Sequence, residues 1–186
     1  MLSSWMESIT QKDLRDACTE LHDQAEKTRL AQELITGSID PMVYKNYCYQ
    51  LYLIADVMES KLQMPADLHR RHLLVMDIAE CPTGPVIACP STIEYARYLS
   101  NHYNPQIHGQ LKGHVYAHYL GWLYGGQMIA KRLDLPKNHL RFNDVKACVD
   151  HVRTVHLAMV FDRDAEEAKK AFAYTIRIYQ ELYELH

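Results

Sequence analysis

Along most of this chain apolar residues recur at intervals of three and four, the spacing that lays a stripe down one face of an α-helix. Leu14, Cys18, Leu21 and Ala25 fall at i, i+4, i+7 and i+11, and His22 lies beside that stripe with Glu26 one turn further on. Thr10 to Asp13, just ahead, has the spacing of a capping box. Asp40-Pro41 reads as an N-cap with proline at the first helical position. From there Val43, Cys48, Leu51, Ile54, Ala55 and Met58 carry a helix to about Leu62, and Pro65 ends it. Leu68 to Ala79 supports another helix, and the breaker-rich run Glu80 to Pro90 reads as a loop. Ser91 or Thr92 then caps a helix to about His102, which Asn104-Pro105 separates from the next. His114 to Arg132 reads as one long helix, kinked where Gly125 and Gly126 adjoin. Leu133 to His139 is a linker, Asn143 or Asp144 opens the next helix, and Asp162 or Asp164 caps the last. In that last helix Ala168, Phe172, Thr175, Tyr179 and Leu182 form the inward stripe. No repeat, low-complexity tract or domain boundary divides the chain, so the expectation is one all-α domain, a helical bundle over residues 1–186.

Composition narrows the function. At 186 residues the chain can bury a real core without a disulfide framework. A net charge of −3 and no basic run argue against a nucleic-acid partner. Five cysteines, an odd number with no C-x-x-C pair, read as thiols in a reducing compartment, so a cytoplasmic location is expected. The first residues lack a basic segment followed by an apolar core, and no apolar run is long enough to span a bilayer. The chain stops at His186 just after its last helix, so no membrane-anchoring tail is expected. Thirteen tyrosines are many, and most are expected on helix faces with their hydroxyls in water.

Two segments carry the candidate chemistry. An imidazole beside an apolar stripe either satisfies its nitrogens inside a core or binds a metal. Glu26, four residues on, can engage one ring nitrogen of His22 and leave the other free. In the second segment Gly121, Gly125 and Gly126 sit inside a helix, where each costs about 1 kcal/mol relative to alanine. Either small residues let two helices pack closely there, or the bare backbone lies almost in contact with a flat ligand. His114 and His118, at i and i+4, lack an H-E-x-x-H context and read as surface decoration rather than half of a metal site. Cys81-Pro82 and Cys89-Pro90 look like the cysteine–proline dipeptides of heme-responsive sites, although such pairs in a loop read as turn chemistry.

The first segment resembles the proximal-helix motif of heme oxygenases. The second, Tyr119-Leu120-Gly121-Trp122-Leu123-Tyr124-Gly125-Gly126-Gln127, resembles their distal-helix motif, usually Tyr-Leu-Gly-Asp-Leu-Ser-Gly-Gly-Gln. Ala168 to Phe172 with Tyr179 to Leu182 is similar to the family's last core helix. The resemblance implies heme held between the helix of His22 and the kinked helix of Gly121, Gly125 and Gly126. His22 would then be the iron ligand and Glu26 its partner. Arg15 would sit where a basic residue holds a heme propionate, and Tyr116 where a tyrosine hydrogen-bonds at the heme edge. Lys146 and Arg153 are the nearest candidates for further propionate contacts, although ungapped alignment from Lys146 puts Asp150 where the arginine is expected.

By the same resemblance the activity would be oxidative opening of heme by O2 to biliverdin, carbon monoxide and ferrous iron. No flavin or nicotinamide fingerprint is present, so electrons would come from ferredoxin or a flavoprotein reductase. The rim of Lys12, Arg15, Lys146 and Arg153 would dock an acidic donor. The chain departs from the pattern at Trp122, where the commonest form of the family has an aspartate that holds a distal water network. Tryptophan has one N–H donor and no acceptor. The alternative is therefore a heme-binding carrier or sensor that leaves the ring intact. Non-heme relatives of the fold fit less well, because di-iron bundles use Glu-x-x-His pairs and no Asp or Glu here precedes a histidine by three.

Overall fold

The computed structural model describes residues 8–102 and 111–185. Helix makes up 73% of it. The elements are α1 (Gln11–Glu26), α2 (Arg29–Thr36), α3 (Pro41–Lys61), α4 (Arg71–Glu80), α5 (Pro90–His102), α6 (Lys112–Leu123), α7 (Gly125–Ala130), α8 (Val145–His151) and α9 (Asp162–Glu181). A π-helical turn, Val152–His156, continues α8, and 3-10 turns lie at Ala66–Leu68 and Asn138–Leu140. One short antiparallel ladder, β1 (Ser8–Ile9) with β2 (Val160–Phe161), ties the start of α1 to the start of α9.

Local chemistry sets most boundaries where the sequence places them. The Thr10 side chain accepts from the Asp13 N–H while Asp13 Oδ2 accepts from the Thr10 N–H at 2.8 Å, a reciprocal cap on α1. Asp40 accepts from Met42 and Val43 ahead of Pro41. Asp144 caps α8 through the Ala147 N–H. Gly37 ends α2 at φ 74°, a left-handed conformation that glycine adopts without steric cost.

Some boundaries move. α5 begins at Pro90, ahead of both expected caps, because the Cys89 carbonyl accepts from Thr92 and Ile93. Ser91 is committed elsewhere, its N–H and hydroxyl both donating to the Glu181 carboxylate of α9. The region after Pro65 divides into a 3-10 turn and α4. At the last helix the N-cap is Phe161, and Asp164 reaches back to accept its N–H at 2.8 Å. The expected long glycine helix is interrupted at Tyr124 (φ −107°, ψ −69°) and resumes as α7. Asn104-Pro105 lies outside the described residues.

The core sits where α1 and α6 pack on α9 and where α3 packs on α4 and α5. Leu14, Cys18, Leu51, Ile54, Ala55, Met58, Ala168 and Leu182 are all buried. All five cysteines are buried and free, and burial pushes the thiols of Cys18, Cys81 and Cys89 up, so the two cysteine–proline dipeptides serve packing. Some tyrosines depart from expectation. Tyr44, Tyr95 and Tyr119 are fully buried, and the Tyr44 hydroxyl donates to the Pro136 carbonyl at 2.6 Å.

Candidate functional site

Between α1 and α9 on one side and α6 and α7 on the other lies a cavity of about 480 Å³, floored by residues of α2 and α3. That volume falls in the range of small-molecule and cofactor sites, roughly 300–1,000 Å³.

His22 stands at the cavity on α1, its side chain 52% exposed. It is therefore no core histidine. Residue 22 follows Leu21 off the buried stripe, so the ring leans over the edge of the helix and meets Phe172 of α9 edge-on at 5.7 Å. Glu26 Oε1 lies 3.7 Å from Nε2 and Asp23 Oδ1 lies 3.9 Å from Nδ1, both too long for hydrogen bonds. Each nitrogen therefore has a carboxylate nearby but neither is tied down, and the donor atoms of the three residues lie within 4.8 Å of one another.

Opposite stands the bare backbone. A Cβ built on Gly121 or on Gly125 meets nothing within 4 Å, and both glycines line the cavity. Gly126 serves packing instead, since a Cβ there would stand 2.9 Å from Leu140 Cδ2. The break at Tyr124 is braced by Gln127, whose amide donates to the Leu140 carbonyl at 2.9 Å. The site therefore has the outline of a flat slot, one wall with an imidazole and the other stripped of side chains at two adjacent turns.

Around the mouth Lys12, Arg15 and Arg153 line the cavity with exposed cationic groups, and Arg153 Nη2 donates to the Tyr124 hydroxyl at 3.2 Å. Tyr116 also lines it, and burial pushes its phenol up to about 12, so it is a neutral hydroxyl. Lys146, by contrast, is exposed on α8 and is not among the residues lining the cavity, and Asp150 is exposed as well. Trp122 lines the cavity at 5% exposure, its ring edge-on to Tyr119 at 5.0 Å.

Polar groups missed in the sequence occupy the glycine side. His114 and His118 are 0% and 8% exposed, so the surface reading of this pair is overturned. The Tyr95 hydroxyl of α5 bridges them, 2.7 Å from His114 Nδ1 and 2.9 Å from His118 Nε2. His114 Nε2 in turn lies 2.9 Å from Glu167 Oε2 of α9, and Glu167 also accepts from Tyr98 and Lys170. Burial opposes ionisation of Glu167, yet the bonds from His114, Lys170 and Tyr98 outweigh it and hold the carboxyl at about 2. Burial, helped by His114, depresses His118 to about 3, so its ring is neutral at pH 7. His118 lines the cavity one turn before Trp122, and that i, i+4, i+8 run of His114, His118 and Trp122 was the available signal. A second sealed pair, His139 Nδ1 and Asp77 Oδ2 at 2.6 Å, holds the 3-10 turn that backs Gly126.

Among the described residues no helix is long and apolar enough to cross a membrane. A sequence profile described as heme oxygenase matches residues 9–181. The chain is 25% identical to heme oxygenase 2 of Macaca fascicularis over 209 residues, covering 91% of this chain and spanning 64% of that protein's length. It is 27% identical to heme oxygenase 1 of Homo sapiens over 208 residues, covering 92% of this chain and 71% of that one. Its fold is that of the Synechocystis heme oxygenase-2 crystallised with heme and NO, with a TM-score of 0.81 at 20% identity over 94% of this chain and 85% of that one. A profile match over nearly all of the described bundle, with the slot lying between its two motif helices, places this chain in the heme oxygenase family.

Proposed function

We propose that the chain binds heme in this cavity and opens the ring oxidatively to biliverdin, releasing carbon monoxide and ferrous iron, with O2 and with electrons from ferredoxin or a flavoprotein reductase. The observation that supports this most is the pairing of an exposed histidine on α1 with bare backbone at Gly121 and Gly125 across one cavity. A planar macrocycle fits a slot whose far wall carries no Cβ, and an imidazole on the near wall is the donor that heme iron takes.

When bound, heme supplies both the oxygen-activating metal and the ring that is cut. The chain's residues position and exclude. His22 ligates iron through one ring nitrogen, and Glu26 or Asp23 orients the ring through the other. Arg15 and Arg153, with Lys12, neutralise carboxylates at the mouth, and Tyr116 offers a neutral hydroxyl to the edge. Gly121 and Gly125 would let the α6–α7 backbone approach the ring face, so the position of that backbone would help orient the ring in the slot. Trp122 walls the slot with an apolar surface and keeps bulk water from the reacting edge.

One observation favours a second reading, heme binding without turnover. Trp122 is buried where the commonest heme oxygenase motif carries an acceptor. Hemin titration with His22→Ala as control, followed by aerobic incubation with a ferredoxin–reductase couple, separates the two. A His22-dependent Soret band that decays to a biliverdin spectrum supports turnover. A band that persists supports the second reading, and Trp122→Asp should then start turnover in a variant that retains the band. Absence of a Soret band rejects both.

A further inference from the structure

Four polar groups form a continuous chain from the cavity toward the surface: His118, Tyr95, His114 and Glu167. Three links of 2.9, 2.7 and 2.9 Å join them, and they come from three helices, α6, α5 and α9. Packing alone does not require this arrangement, since apolar side chains of similar volume would fill the same space without burying two imidazoles.

The donor and acceptor count leaves two consistent states. Glu167 is ionised and only accepts, so His114 Nε2 carries a hydrogen in both. If His114 is neutral, its Nδ1 accepts from the Tyr95 hydroxyl, the Tyr95 oxygen accepts from His118 Nε2–H, and His118 Nδ1 is a bare acceptor. If His114 is protonated, its Nδ1–H donates to the Tyr95 oxygen, Tyr95 donates to His118 Nε2, and His118 must carry its hydrogen on Nδ1. The proton on His114 thus dictates the tautomer of His118, one helical turn on along α6 and two hydrogen bonds away through the Tyr95 hydroxyl.

We propose that His118, Tyr95 and His114 form a proton relay that donates one proton to the cavity from a store on His114 held by Glu167. In the transfer His118 Nδ1–H passes its proton to an acceptor in the cavity. The Tyr95 hydroxyl proton moves to His118 Nε2, and the His114 Nδ1 proton moves to the Tyr95 oxygen. Three N–H or O–H bonds break and three form, His114 loses one positive charge, and one proton enters the cavity with no electron moved. Glu167 stabilises the loaded state as an ion pair, and Lys170 and Tyr98 hold the carboxylate in place. Among the described residues the titratable groups facing His114 are Tyr95 and Tyr98 from α5, Glu167 with Lys170 from α9, and His118 on its own helix. What consumes the proton rests on the heme oxygenase reading, because reduction of O2 takes up protons with its electrons, but the coupling belongs to the chain alone.

The test therefore uses the protein without heme. Side-chain 15N–1H correlation spectra recorded from about pH 5 to about pH 9 report the charge and tautomer of each histidine. As His114 loses its proton, His118 should stay neutral and switch from Nδ1–H to Nε2–H at the same midpoint. In Tyr95→Phe, which removes one oxygen atom, His114 should still titrate while His118 no longer follows. A His118 tautomer that ignores the charge on His114 overturns the proposal, as does coupling that survives in Tyr95→Phe. Hemin binding is read separately from the Soret band, so loss of the heme reading leaves the coupling result standing, and loss of the coupling leaves the heme reading standing.

Discussion

A Cβ on Gly113 would stand 2.3 Å from the backbone carbonyl oxygen of Asp164. That contact brings α6 and α9 together backbone to backbone, and neither partner can move aside without shifting a helix. Gly113→Ala should destabilise the fold by about 3 kcal/mol, near the upper end of overpacking costs. Urea unfolding checks this; a midpoint within error of the parent would mean that the two helices can separate freely.

Gly121→Ala should behave in the opposite way. Its Cβ meets open space, so the substitution should stabilise α6 by about 0.5–1 kcal/mol through helix propensity. The same methyl would project into the slot and weaken hemin binding by about tenfold, or about 1.4 kcal/mol. A variant more stable and equally tight would remove Gly121 from the ligand-facing wall.

His22→Ala removes a half-exposed ring with no close hydrogen bond, so its stability should stay within about 0.5 kcal/mol of the parent. Hemin affinity should fall and the ligand-field features of the spectrum should disappear, to be recovered by adding imidazole. Failure of imidazole to restore the spectrum would argue that the iron takes its ligand from another residue.

Acid should unfold the chain earlier than an ordinary bundle. His118 is depressed to about 3, so below its unfolded value of about 6.5 the unfolded chain takes a proton that the folded chain refuses, and stability falls as pH drops between the two. Glu167, held at about 2, adds stability above its unfolded value of about 4.5 and loses it as pH falls toward about 2. Asp164, raised by burial, works the other way. Together the first two should lower the unfolding free energy by about 4 kcal/mol between pH 7 and pH 4. Urea melts at several pH values test it, and His118→Gln should flatten the limb above pH 4.5.

What the sequence made legible was local. The α1 cap needs only Thr10 and Asp13, the α3 cap only Asp40 and its neighbours, and the apolar stripes repeat within a few turns. The slot glycines were legible because three glycines in one helix are costly whatever surrounds them. What escaped depends on partners far along the chain. His114 meets Tyr95 and Glu167, 19 and 53 residues away, and Asp77 meets His139 62 residues on. Spacing alone could not separate a buried histidine pair from a solvated one. Nor could it show that Gly113 is the glycine α9 leans on. Nor could it decide between Lys146 and Arg153, of which Arg153, in the π-helical turn Val152–His156, lines the cavity and Lys146, on α8, does not.

Mechanically, α6 and α7 form a beam resting on two supports. At Gly113 the beam bears on α9, and at Gly126 it bears on Leu140, with Gln127 tied to the turn beyond. Between the supports the member is weakest at the break at Tyr124, and the glycines on either side of it, Gly121 and Gly125, lie directly over the slot. The clearance above a bound ligand is therefore set by the bending of a few peptide units, so the ceiling can follow the thickness of its guest while the walls stay where the core put them.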